Sequence, residues 1–258
     1  MAFPRVQRFM GITTDLAHHF LEAVDQAAIA SAAWRGKGDK NAADDAAVEA
    51  MRRTFDAVPF DGRVAIGEGE RDEAPMLYIG EEVGRGGPKI DIALDPLEGT
   101  TITAKGGQNA LAVIAMASRG GFLNAPDVYM DKIAVGGGLP DGIVDLDNTV
   151  EENINKLAGA KNVDASDIVV CILDRPRHSE TIDSVRQAGA RIMLISDGDV
   201  SGVIATAQEE AGVDLYLGSG GAPEGVLAAA ALRCIGGQMQ GRLLFRNDDE
   251  VSRARKWG

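Results

Sequence analysis

Apolar residues recur along this chain with two spacings, one helical and one alternating. Leu16, Phe20, Val24, Ala27 and Ala28 fall three or four apart, which predicts a helix over residues 13–34 with Thr13 or Thr14 as N-cap and Asp15 in its first turn. Ala43, Ala47, Met51 and Phe55 predict a second helix from about Asn41, entered from the charged glycine loop Arg35-Gly-Lys-Gly-Asp-Lys40. Residues 62–67 read as a strand leading into Glu68-Gly-Glu-Arg-Asp-Glu73, a turn crowded with charge. Ile90, Ile92 and Leu94 alternate as a buried strand that stops at Asp95, because Pro96 has no N–H to extend it. Small and branched residues over 110–117 predict a central strand; residues 128–135 alternate as a partly covered strand carrying Tyr129, and residues 149–159 read as a helix.

From residue 166 strands and helices alternate strictly. Strands over 167–173, 190–195, 213–218 and 239–245 are separated by helices near 178–188, 199–211 and 223–236, which predicts a parallel, doubly wound sheet. The change of pattern divides the chain into an amino-terminal half, 1–160, and a carboxyl-terminal α/β half, 161–258, with Gly136-Gly-Gly-Leu-Pro-Asp-Gly142 as the candidate boundary loop. Ligands of such sheets sit beyond the carboxyl ends of the strands. The polar clusters of this half lie there: Asp174-Arg-Pro-Arg-His178, Ser196-Asp-Gly-Asp199 and Gly218-Ser-Gly-Gly-Ala-Pro-Glu-Gly225.

Composition narrows the function. With 258 residues, 45% of them hydrophobic, the chain buries a large core. A formal net charge of −13 argues against nucleic acid and anionic membranes as partners, so an anionic substrate must be met by local cations or metals. No run of 18 apolar residues and no secretory leader is read from the chain, so a cytoplasmic location is expected. Cys171 and Cys234 read as small buried hydrophobes, and three scattered histidines leave oxygen ligands and hard metals as the expected chemistry.

The stretch Asp91-Ile-Ala-Leu-Asp-Pro-Leu-Glu-Gly-Thr-Thr101 delivers Asp95 and Glu98 to a strand end, with Gly99 allowing close backbone approach and Thr100 and Thr101 offering hydroxyls. Two carboxylates about 4 Å apart repel by roughly 4 kcal/mol at an effective dielectric near 20, a conflict that a divalent cation resolves. A solvated acidic turn is the other reading of the same residues, and dipole capping is the other reading of Asp44 and Asp45 in a first helical turn. Glu224, after Gly220-Gly-Ala-Pro, either serves the helix dipole or faces a ligand. Arg175 and Arg177, stiffened by Pro176, suit a phosphate, and Asp197 and Asp199 about Gly198 suit sugar hydroxyls. His178 is expected to cap or pack, and Lys37 and Lys40 read equally as surface charge or phosphate steering. Asp44, Glu68, Asp95, Glu98 and Glu224 with these arginines describe metal-assisted hydrolysis of a sugar phosphate, in which Thr100 positions water and Glu70 or Asp72 takes its proton.

The chain resembles the class II, bacterial-type fructose-1,6-bisphosphatases of the lithium-sensitive, metal-dependent phosphatase superfamily. The resemblance rests on Gly36-Lys-Gly-Asp-Lys-Asn-Ala-Ala-Asp44, Ile66-Gly-Glu-Gly-Glu70, Asp72-Glu-Ala-Pro-Met-Leu-Tyr-Ile-Gly80, Asp91 to Thr101, Asn124-Ala-Pro-Asp-Val-Tyr-Met130, Arg175 to His178, Asp197 to Asp199 and Gly220 to Gly225. It implies a layered α/β/α/β/α sandwich, Mg2+ or Mn2+ as cofactor, and a homodimer or homotetramer. Asp44 and Glu68 match the ligands of one ion, and Asp95, Glu98 and Glu224 those of another. Glu98, Gly99, Thr100, Tyr129, Arg175, Pro176, Arg177, Asp197, Gly198, Asp199 and Gly221 match positions that hold the sugar bisphosphate. The implied reaction converts fructose 1,6-bisphosphate to fructose 6-phosphate in gluconeogenesis. A dual enzyme that also accepts sedoheptulose 1,7-bisphosphate and a non-catalytic sugar-phosphate-binding regulator are the alternatives. Family members continue past the position of Gly258, so the second half is expected to be short at its carboxyl end.

Overall fold

The computed structural model describes residues 12–69 and 75–256. The chain divides into two compact α/β units between Asn124 and Ala125.

The first unit contains α1 (Thr14–Ala32), α2 (Lys40–Phe55), β1 (Asp61–Ile66), β2 (Glu82–Val83), β3 (Lys89–Glu98), α3 (Thr100–Lys105) and β4 (Leu111–Ser118). Thr13 caps α1, its hydroxyl accepting from the Leu16 N–H at 3.2 Å. The buried stripe of α1 is Leu16, Phe20, Ala23, Ala27 and Ser31; Ala28, expected on this face, is exposed. Helix α2 is capped by Asp39, which accepts from Ala42 N–H at 3.0 Å. Asp44 and Asp45 therefore fall beyond the first turn, and dipole capping does not account for them.

One sheet runs β2-β1-β3-β4, with β3 parallel to β1 and antiparallel to β4. Two expectations are corrected here. Strand β3 does not stop at Asp95 but continues through Pro96 to Glu98. Its register against β4 shifts between Asp95, opposite Val113, and Glu98, opposite Leu111, so three steps on one strand match two on the other. Pro96 sits in that bulge, past the last residue of β3 paired to β1, where no ladder N–H is needed. Strand β4, predicted to be central, pairs only with β3 among the described residues, and most of its side chains are half-buried.

The core of this unit lies between α1, α2 and one sheet face. Phe20, Phe55 and Phe60 form a trio with ring centroids 5.0 to 5.8 Å apart. Glycine is required beside it, because a Cβ on Gly62 would enter the Phe60 ring.

The second unit contains β5 (Tyr129–Val135), α4 (Val150–Lys161), β6 (Val169–Leu173), α5 (Ser179–Gln187), β7 (Arg191–Ile195), α6 (Asp199–Ala205), β8 (Leu215–Gly221), α7 (Ala222–Ile235), β9 (Gln238–Leu244) and α8 (Asp248–Lys256). Its sheet order is β7-β6-β8-β5-β9. Strand β6 is parallel to β7 and β8 as predicted, but β5 lies antiparallel between β8 and β9, so the sheet is mixed. Because β5 is hydrogen-bonded on both sides within this sheet, it and α4 belong to the second unit and not to the amino-terminal half in which a boundary near 160 placed them. Helices cover both faces, as a doubly wound sheet requires. Val170 and Ile172 of β6 pack with α4 and α5, while Cys171 between them packs with α6 and α7. Burial pushes the Cys171 thiol up to about 12. Cys234, expected to be buried, is exposed.

Phe60→Ala is expected to lower stability by about 3 to 5 kcal/mol, the range for removing a packed core aromatic. Urea unfolding measures this as a fall in midpoint, and a loss below about 1 kcal/mol would contradict the role given to the aromatic trio.

Candidate functional site

In the first unit, parallel β1 and β3 end on the same edge of the sheet. Glu68 follows β1 by two residues; Asp95 and Glu98 form the end of β3. The Glu68 turn is held from behind, since Glu68 N–H donates to Leu77 O at 3.1 Å and Ile79 N–H to Gly69 O at 2.9 Å. Glu81 accepts from the Leu77 N–H and from Arg52 Nε at 2.6 Å, which anchors the same segment to α2. At the other turn, Asp95 Oδ1 accepts from Leu97 N–H at 3.0 Å, and Glu98 is buried. Gly99 then takes φ 99°, a left-handed conformation that starts α3 directly at Thr100. The loop before α2 is stitched to α3 by Gly36 N–H to Thr103 O and Gly38 N–H to Ala104 O, both 2.9 Å. Asp44, on α2, is half-buried, and burial followed by the neighbouring Asp45 charge raises its pKa. Lys37 lies over the Trp34 ring at 5.0 Å. Glu70 and Asp72 lie outside the described residues.

In the second unit the three polar clusters do share one rim, because β6, β7 and β8 run parallel and adjacent. Tyr129 joins them at the start of β5, opposite Gly221 of β8. Arg177 is fixed by donating to Ser219 through Nε and Nη2, the latter to the carbonyl at 2.7 Å, and its guanidinium lies over the Tyr129 ring at 5.0 Å. Arg175 is held less tightly, with Nη2 3.8 Å from Asp197 Oδ1. Pro176 opens the short turn between them. Gly198, at φ 87°, begins α6 at Asp199.

His178 packs, as expected. Its Nδ1 is 2.8 Å from Leu173 O, and its Nε2 accepts from Ser219 N–H at 2.8 Å, so the ring is a buried neutral tautomer. Burial is the main cause lowering its pKa, and Arg177 adds to it.

Sequence reasoning missed the central residue of this rim. Lys132 is fully buried and its Nζ lies 2.5 Å from Asp199 Oδ2. Register places Gly218 and Gly241 on either side of it. A Cβ on Gly220 would strike the Asp199 carboxylate, and one on Gly221 would strike that of Glu224. The signal was present in the alternation: Lys132 shares a face with Met130 and Ala134, both buried, and a lysine in that position is paired. Glu224 is raised in pKa by burial and then by Asp199, with Lys132 opposing. Its Oε2 is buried and has no hydrogen-bond partner among the described residues.

Within the first unit Asp44, Glu68, Asp95 and Glu98 offer only oxygen donors, and in the second the Glu224 oxygen does the same, chemistry that suits hard divalent cations. Among the described residues, no group of three His, Cys, Asp or Glu side chains is gathered to hold one. No described helix is long and apolar enough to cross a membrane.

Residues 14–258 match the family model described as bacterial fructose-1,6-bisphosphatase, glpX-encoded. The chain is 50% identical over 235 residues to fructose-1,6-bisphosphatase 1 class 2 of Escherichia coli, covering 91% of this chain and 70% of the relative. It is 48% identical over 234 residues to fructose-1,6-bisphosphatase class 2 of Haemophilus influenzae, covering 90% and 70%. Among solved structures, an inositol monophosphatase from Anabaena aligns over 74% of this chain and 69% of its own at 14% identity, with a TM-score of 0.36.

Lys132→Met leaves two buried carboxylates without their cation and is expected to cost about 3 to 5 kcal/mol, with the Asp199→Asn second change recovering about half. Denaturant midpoints of the single and double variants decide this; equal loss in both would contradict it. His178 contributes a pH dependence whose sign follows from its lowered pKa. The unfolded chain takes up a proton as pH falls through about 6.5, before the folded one does, so its stabilising contribution is present above that value and lost below it. Between pH 7.5 and 5.5 the urea midpoint should fall more steeply in the parent protein than in His178→Gln.

Proposed function

The chain belongs to the glpX-encoded bacterial fructose-1,6-bisphosphatase family, and we propose that it hydrolyses the 1-phosphate of fructose 1,6-bisphosphate, releasing fructose 6-phosphate and inorganic phosphate. The observation that carries this reading is the common sheet edge on which the Glu68 turn and the Asp95–Glu98 bulge end. In a chain of net charge −13, such an acidic edge recognises a phosphorylated substrate only with cations.

In this reading Asp44 and Glu68 serve one divalent ion and Asp95 and Glu98 a second, while Glu224 is the carboxylate donor of the second unit. Mg2+ or Mn2+, when bound, supplies Lewis acidity toward the phosphoryl oxygens. The Thr100 hydroxyl, fixed at the start of α3 by the left-handed Gly99, orients the attacking water. Glu70 or Asp72 accepts its proton. Attack on phosphorus breaks the bond to the C1 oxygen, which leaves as the sugar hydroxyl after taking up a proton. Arg175 and Arg177, with Pro176 and Tyr129, hold the phosphate that stays. Asp197 and Asp199 accept from sugar hydroxyls, and Gly198 and Gly221 let the backbone approach them. Lys132 keeps the Asp199 carboxylate in one orientation. Gluconeogenic use, a cytoplasmic location and assembly as a homodimer or homotetramer belong to the same proposal and rest on the family.

Phosphate release from fructose 1,6-bisphosphate is expected with Mg2+ or Mn2+ and is expected to stop on chelation. Glu98→Gln should lower kcat by about a hundredfold or more with the melting temperature retained. Binding of the bisphosphate at saturating metal with no release would sink the enzyme reading.

A further inference from the structure

Two residues beyond β9 the chain places a second arginine on the rim of the second unit. Tyr129 pairs with Gly221 on one side and with Leu244, at the end of β9, on the other, so the segment after Leu244 emerges beside Tyr129. Arg246 lies over the Tyr129 ring at 5.7 Å, and Arg177 lies over the same ring at 5.0 Å. Both guanidiniums are held in the same manner. Arg177 spends Nε and Nη2 on Ser219. Arg246 spends Nε at 2.6 Å and Nη2 at 2.5 Å on Glu250, which also accepts the Arg246 backbone N–H at 2.7 Å. Glu250 is buried, whereas the Arg246 side chain is 63% exposed. In each arginine the Nη1 donors remain unused by the described protein.

A surface ion pair closing the first turn of α8 would explain the contact of Arg246 with Glu250. It would not explain why that head is directed to the ring that Arg177 already occupies: Glu250 neutralises Arg246, but Arg177 donates only to Ser219 and meets no carboxylate among the described residues, so the two guanidiniums at one tyrosine keep a net positive charge suited to an anion. Cation–π contact orients each head, and the Nη1 edges left over suit the oxygens of a phosphate dianion. We propose that Arg246 is a phosphate-binding residue, forming with Arg177 and Tyr129 a two-arginine seat for the phosphate that is not hydrolysed. Glu250 is its positioning residue. The proposal rests on the sugar-bisphosphate reading for the identity of its ligand.

Fructose 6-phosphate is the probe, titrated calorimetrically into the full chain and its variants, with steady-state kinetics on fructose 1,6-bisphosphate alongside. Arg246→Ala is expected to weaken fructose 6-phosphate binding about tenfold and to raise KM by a similar factor, the loss falling on KM more than on kcat. Arg246→Lys should recover part of the affinity, because it keeps the charge and loses the planar fork. The double variant Arg246→Ala with Glu250→Gln, which leaves no buried carboxylate without its partner, should show the same weakening and separates binding from folding. Unchanged affinity and KM in Arg246→Ala, or a loss confined to kcat, overturns the proposal, as does a parent protein that binds no fructose 6-phosphate. A parent protein that binds fructose 6-phosphate through Arg246 but releases no phosphate from the bisphosphate sinks the functional reading and leaves the seat standing.

Discussion

The second unit is organised by one buried ammonium. Lys132 reaches Asp199 across the sheet from the middle of β5 among glycines: Gly218 and Gly241 flank it in register, a Cβ on Gly220 would strike the Asp199 carboxylate, and one on Gly225 would strike Met130 and crowd Lys132. A buried pair of this kind adds little net stability, because desolvating both charges offsets most of their attraction. Its consequence is orientation. With Asp199 held from behind, the start of α6 and the glycine turn into α7 are fixed relative to β5, and Tyr129 and Glu224 inherit that geometry.

The first unit solves a different problem, presenting carboxylates at a strand end without letting them collapse or disperse. The bulge in β3 turns Glu98 inward one residue later than a regular ladder would. Arg63 and Arg119 meanwhile hold the buried Asp91 of the same strand, with Arg63 Nη2 at 2.7 Å, so the charge at the base of β3 is neutralised within the sheet. The first unit carries carboxylates at its strand ends, and the second carries both guanidiniums and carboxylates on its rim.

Much of this was legible in the chain. Helical spacing located α1 and α2, strict alternation after residue 166 located the doubly wound strands, and ordered motifs pointed to the family that the matching model and relatives show. What escaped had physical reasons. Insertion of β5 between β8 and β9 is a long-range pairing that no local pattern carries, and it moved the unit boundary to Asn124. Pro96 reads as a stop, and only the bulge explains its tolerance. Lys132 was visible as a lysine on an apolar face. The place of Arg246 over Tyr129 was not visible, because it depends on where β9 ends against that residue. Glu70 and Asp72 lie outside the described residues.

The proposed hydrolysis of the 1-phosphate fixes which phosphate leaves. Following turnover of fructose 1,6-bisphosphate by phosphorus NMR with Mg2+ or Mn2+ present reads that outcome directly. The account predicts that the C1 phosphate resonance disappears while the C6 resonance persists as fructose 6-phosphate; loss of the C6 resonance with accumulation of fructose 1-phosphate would contradict it.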